Sequence, residues 1–105
     1  MAEHAVIVRI PMKDGDFGTD EEREPLFALE EQLAAAIEGA QCGEYDGNEI
    51  GEGEFVFYMY GPDADALFAA VEPALKGSPA TAGGSATKRY GGPNDPSVKQ
   101  VKATL

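Results

Sequence analysis

From Ala5 to Ile10 the chain is apolar and β-branched, and it stops at Pro11 and the turn-forming Lys13-Asp14-Gly15-Asp16, which predicts a first strand. Strand alternation puts Val6, Val8 and Ile10 on one face and Ala5, Ile7 and Arg9 on the other. The period then changes. Leu26, Leu29, Leu33 and Ile37 recur at helical spacing behind Thr19-Asp20-Glu21-Glu22, whose Thr-x-x-Glu spacing is that of a capping box. A helix ending near Gly39 follows. Pro25 leaves two starts open: the capped one at Thr19, or a regular helix beginning at Pro25 after an irregular acidic lead-in.

Gly43 to Ile50 is polar and irregular, Gly51-Glu52-Gly53 is a turn, and Glu54-Phe55-Val56-Phe57-Tyr58-Met59-Tyr60 is a short aromatic run between glycines. The two segments predict a β-hairpin, with the aromatic one as a central strand. Asp46-Gly47 is itself a tight-turn dipeptide and offers a competing register, and a glycine in mid-strand also suits a bulge. Gly61-Pro62-Asp63-Ala64-Asp65 opens a second helix, whose buried stripe is Leu67, Phe68, Val71 and Leu75, with Pro73 loosening its last turn before Gly77. Ser85 to Tyr90 reads as a further strand, and Gly91-Gly92-Pro93-Asn94-Asp95-Pro96 as a turn. Val98 to Leu105 adds an edge strand through Val101, Ala103 and Leu105. With right-handed crossovers, this order predicts an α+β fold, a ferredoxin-like βαββαβ sandwich. Its antiparallel sheet carries two helices on one face, with strands one and three side by side and a candidate fifth strand at the C-terminal end.

Composition keeps this picture to a single domain over residues 1–105: 43% hydrophobic and 26% charged residues suit a globular chain rather than a disordered one. Charge changes it more. Residues 1–54 hold 15 acidic and 3 basic side chains and residues 55–105 hold 4 and 5, so nearly all of the net −11 lies in the first half. Such a field repels phosphate backbones and disfavours nucleic acid, and it suits a protein partner with a basic surface. Cys42 and His4, the sole residues of their types, make neither an internal disulfide nor a four-ligand zinc site, and no cofactor is expected. No stretch is long and apolar enough for a membrane span or a secretory core, so the expected compartment is the cytoplasm.

Candidate chemistry falls in two places. If Val6, Val8, Ile10, Phe55, Phe57 and Met59 face the helices, the open sheet face shows Ile7, Arg9, Val56, Tyr58 and Tyr60. From the fourth strand the register adds either Arg89 or Lys88. Tyrosine offers contact area at low entropic cost and arginine forks onto carboxylates, so this is a candidate binding surface, for a partner or for a twin subunit. The second place is Glu44, Asp46, Asn48 and Glu49. In a regular strand Glu44, Asp46 and Asn48 share a face and offer oxygens to a hard cation or a carboxylate pair for acid/base work. A solvated acidic hairpin that resists edge pairing accounts for the same residues.

Other motifs fail on spacing. A calcium loop starting at Asp14 has Thr19 where glycine is required and Pro25 where a bidentate glutamate belongs. Asp16-Phe17-Gly18 lacks the other kinase elements, and the paired glycines at 83–84 and 91–92 precede no helix. His4, near a terminus expected to fray, makes a poor member of a Ser-His-Asp set. What remains is a non-enzymatic protein-binding or regulatory domain using Arg9, Asp46, Glu49, Tyr58, Tyr60 and Arg89. The alternative is a small-ligand-binding protein or enzyme with a pocket where the Asp46/Glu49 hairpin meets the Tyr58/Arg89 sheet face.

The run from Gly43 to Glu49, followed by Tyr58-Met59-Tyr60-Gly61-Pro62-Asp63-Ala64-Asp65, resembles a family of small bacterial proteins that brings no established activity. Its Tyr45-Asp46-Gly47 step, after a helix and before a sheet strand, is also similar to the ribonuclease E inhibitor protein B family. That resemblance implies an acidic, ferredoxin-like protein that acts by binding another protein. The long acidic tail of those regulators has no counterpart in these 105 residues.

Overall fold

The computed structural model describes residues 3–13, 15, 18–92 and 97–105. The expected turns through Asp14 and Asp16 and through Pro93 to Pro96 lie outside the described residues. In chain order the elements are β1 (His4–Pro11), α1 (Asp20–Ala40), β2 (Glu44–Gly51), β3 (Glu54–Gly61) and α2 (Ala64–Gly77). A single 3₁₀ turn (Pro79–Thr81), β4 (Ser85–Arg89) and β5 (Gln100–Thr104) complete the order. The strands form one antiparallel sheet in the order β2-β3-β1-β4-β5.

β1 and β3 are neighbours, as expected, and β1 is the middle strand. The sheet departs from a plain four-stranded sandwich because β5 extends it beyond β4. β5 uses the alternation read from the sequence: Val101 and Ala103 pair with Lys88 and Ala86 on the helix side, and Ala103 and Leu105 pack on the core. Register fixes the core. Val6 lies opposite Met59, Val8 opposite Phe57 and Ile10 opposite Phe55, and all six are at most 3% exposed. The apolar stripes Leu26, Leu29, Leu33, Ile37 and Leu67, Phe68, Val71, Leu75 pack on them in one cluster. Burying each such side chain contributes roughly 1.5–3 kcal/mol.

Both questions about local structure resolve by hydrogen bonding. α1 starts at the capped site: Thr19 Oγ1 accepts from the Glu22 amide at 3.2 Å, and Asp20, Glu21 and Glu22 fill the first turn, where carboxylates favour the positive end of the dipole. Pro25 therefore sits inside the helix and removes the donor for the Glu21 carbonyl. Both residues are exposed, so water reaches that carbonyl. Pro73 repeats the arrangement in α2 opposite exposed Ala69. The hairpin closes at Glu52-Gly53, whose φ values of 52° and 80° meet the two positive φ angles of a type I′ turn. Asp46-Gly47 is thus no turn. It is a β-bulge, with the register shifting between Tyr45 and Gly47.

Candidate functional site

Because β1 is central, its odd residues define the middle of the face that the helices leave uncovered. Following Cα partners across the sheet, one row runs Glu44, Tyr60, Ala5, Arg89, Gln100. The next runs Gly47, Tyr58, Ile7, Thr87, Lys102, and a third Glu49, Val56, Arg9, Ser85, Thr104. Arg9, Glu49, Tyr58, Tyr60 and Arg89 therefore share one face. The open choice on β4 falls to Arg89. Lys88 points to the helix side, where its Nζ lies 3.1 Å from Asp65 and over the Phe68 ring.

Asp46 is the exception. It is the extra, exposed residue of the bulge and has no cross-strand partner. The expected Glu44/Asp46/Asn48 face does not form, because one inserted residue reverses the alternation downstream of it. Glu44 stays on the open face, Tyr45 turns to the core beside Phe57, and Asn48 joins Tyr45 on the helix side. Glu30 of α1 receives both: Tyr45 Oη donates to Glu30 Oε2 at 2.5 Å and Asn48 Nδ2 donates to the same oxygen at 2.6 Å. Glu30 thereby ties α1 to β2. Burial, reinforced by the hydrogen bond to this carboxylate, pushes the Tyr45 phenol far above its ordinary pKa.

On the open face several polar groups are also engaged. Tyr58 Oη donates to Glu49 Oε2 at 2.9 Å, and that bond is the main reason its pKa is raised. Arg9 lies 3.5 Å from Glu54, and Arg89 Nε donates to the Gly91 carbonyl at 2.8 Å. A shallow cleft of about 190 Å³ is lined by Arg9, Glu49, Gly51, Glu52, Glu54, Val56 and Tyr58. Asp46, Tyr60 and Arg89 do not line it, so the six candidate residues form a surface rather than one pocket. With its single proton given to Glu49, the Tyr58 hydroxyl can accept a hydrogen bond from a ligand but is a poor base near neutral pH.

A second cluster escaped sequence reasoning. His4 is the first residue of β1, paired with Gly61, and its Nδ1 accepts from the Ala64 amide at 3.0 Å, closing the start of α2 together with the Asp63 cap. Tyr90 packs edge-on to His4 and donates to Asp65 at 2.6 Å. Those hydrogen bonds from Tyr90 and Lys88 hold the Asp65 carboxyl below its usual pKa. The Gly61-Pro62-Asp63 start was legible, but its partner lies 60 residues away.

No family model matches the chain, and no curated protein or solved structure does either. Among the described residues, no helix is long and apolar enough to cross a membrane.

Proposed function

We propose that this chain is a non-enzymatic protein-binding or regulatory domain whose contact surface is the open sheet face and the acidic β2 edge beside it. The observation that carries the reading is the uncovered face itself. Half-buried Tyr58, Tyr60 and Ile7 surround buried Ala5 and Val56, with Arg9 and Arg89 among them and Glu44 and Glu49 along one side. Aromatic and arginine side chains on a flat surface suit contact with another protein. The carboxylates of the β2 edge favour a basic patch on it.

The ferredoxin-like reading of the fold is supported by the sub-order β4-β1-β3-β2, with β5 as an addition. Likeness to the ribonuclease E inhibitor protein B family at Tyr45-Asp46-Gly47 agrees with a role in protein binding. A second reading, a small ligand held by Arg9, Glu49 and Tyr58, is favoured by the 190 Å³ cleft they line.

The test compares retention from a native lysate on immobilised wild-type chain and on the variant Tyr58→Ser/Tyr60→Ser. Wild type is expected to hold specific proteins that the variant, checked as folded by circular dichroism, loses. Equal retention by both removes the sheet face from the proposal.

A further inference from the structure

Charge on the open face is not scattered. Glu44 and Glu49 lie on β2 and Glu54 on β3, whereas Arg89 lies on β4 and Lys102 on β5. Arg9, on the middle strand, is paired with Glu54. The face is thus acidic at one edge and basic at the other, with Ile7 and the tyrosines between.

We propose that this face binds a second copy of the chain, the two sheets stacked about a two-fold axis parallel to β1. The inference rests on the reading of this face as a binding surface and names its partner. Two in-plane axes stack identical faces with their strands in line. An axis across the strands lays β2 on β2 and sets Glu44 and Glu49 against their own copies. An axis along β1 exchanges left and right, so β2 of each copy lies over β5 of the other. By these rows Glu44 then lies over Gln100 and Glu49 over Thr104 of the other copy, with Lys102 in the row between them and Arg89, over Tyr60, one strand from Glu44, while Ile7 meets Ile7 at the axis. Both arrangements keep the strands in line, as stacked sheets favour, but only this one sets the acidic edge against the basic edge. Arg9 falls near the axis, where Glu54 at 3.5 Å offsets its charge.

Area sets the strength. Strands ~4.8 Å apart with a ~3.3 Å rise per residue give the face roughly 400–600 Å². A standard interface takes about 800 Å² from each partner, so the pair is a weak one that forms with concentration.

Sedimentation velocity from about 10 μM to about 1 mM tests this range of weak association. Wild type is expected to shift from monomer to dimer. Arg89→Glu/Lys102→Glu and Glu44→Lys/Glu49→Lys are each expected to weaken association about tenfold or more, since each sets like charges face to face. An equimolar mixture of the two variants, one with two acidic edges and the other with two basic ones, is expected to recover a mixed dimer. Lys102→Glu alone repeats the basic-edge test without disturbing the Arg89 bond to Gly91.

A wild-type monomer throughout, or a dimer that none of these variants weakens, overturns the proposal. The lysate experiment separates this result from the broader reading. A monomeric wild type whose Tyr58→Ser/Tyr60→Ser variant still loses retained proteins rejects self-pairing and leaves the binding face standing. A monomer with no such loss rejects both.

Discussion

The two faces of the sheet are made from alternate residues of the same strands, yet they do different work. Toward the helices, Val6, Val8, Phe55, Phe57 and Met59 are fully buried among aliphatic and aromatic side chains. On the opposite face, Ala5 and Val56 are buried only beneath the larger, polar-tipped side chains around them, and Arg9 is exposed. One face supplies stability through close packing. Its opposite keeps area and charge at the surface at little stability cost.

The largest expected effect probes that contrast directly. Phe57→Ala should lower unfolding free energy by about 3–5 kcal/mol in a urea titration. Its neighbour Tyr58→Ala should cost under ~1 kcal/mol, as a change on a partly exposed face. Similar losses would mean that the open face is structural. Next comes the segment that feeds β2 into the sheet. Gly43 has φ +152°, and a Cβ there would lie 2.1 Å from the Tyr60 carbonyl oxygen, so Gly43→Ala should destabilise by about 1–3 kcal/mol through backbone strain. If it proves neutral, the close approach of this backbone to β3 does not set the placement of β2.

Glu30→Ala removes the acceptor shared by Tyr45 and Asn48 and should cost about 1–2 kcal/mol. Coupling to Tyr45→Phe in a double-mutant cycle measures how firmly α1 fastens β2 to the helix side. Tyr45→Phe alone should cost about 1 kcal/mol at neutral pH. The Tyr45 phenol is raised above the ordinary value of about 10, so the folded state keeps a proton that the unfolded chain gives up above that pH. Its contribution is complete below pH about 10 and declines as pH rises beyond it. Denaturant midpoints should therefore fall less steeply above pH about 10 in Tyr45→Phe than in wild type. Equal slopes would place the alkaline loss elsewhere. The smallest change is expected for Lys76→Ala, whose 2.8 Å pair with Glu72 is exposed on α2 and should contribute no more than ~0.5 kcal/mol to the unfolding free energy, read by urea titration.

Much of the covered face was legible because burial imposes a period. Leu26, Leu29, Leu33 and Ile37 announce a helix, and Val6, Val8 and Ile10 a strand, whatever the rest of the chain does. Parity errors arose where one residue changes the count. Asp46 looked like a site residue in a regular strand, but the bulge takes it out of register and sends Asn48 to Glu30. His4 looked like a terminal residue with little to hold it, because nothing local tells of an acceptor needed at Ala64.

By itself the sequence determined the elements, their order, the core-facing side of β1, β3, β5 and the two helices, and the acidic bias of the first half. These follow from local spacing and composition. Tertiary structure decided which register the hairpin takes, that Arg89 rather than Lys88 joins Arg9 and the tyrosines, and that acid and base collect at opposite edges of one face. Cross-strand register brings together residues tens of positions apart, and a single inserted residue can reverse it, so such neighbours are settled only when the whole sheet is assembled.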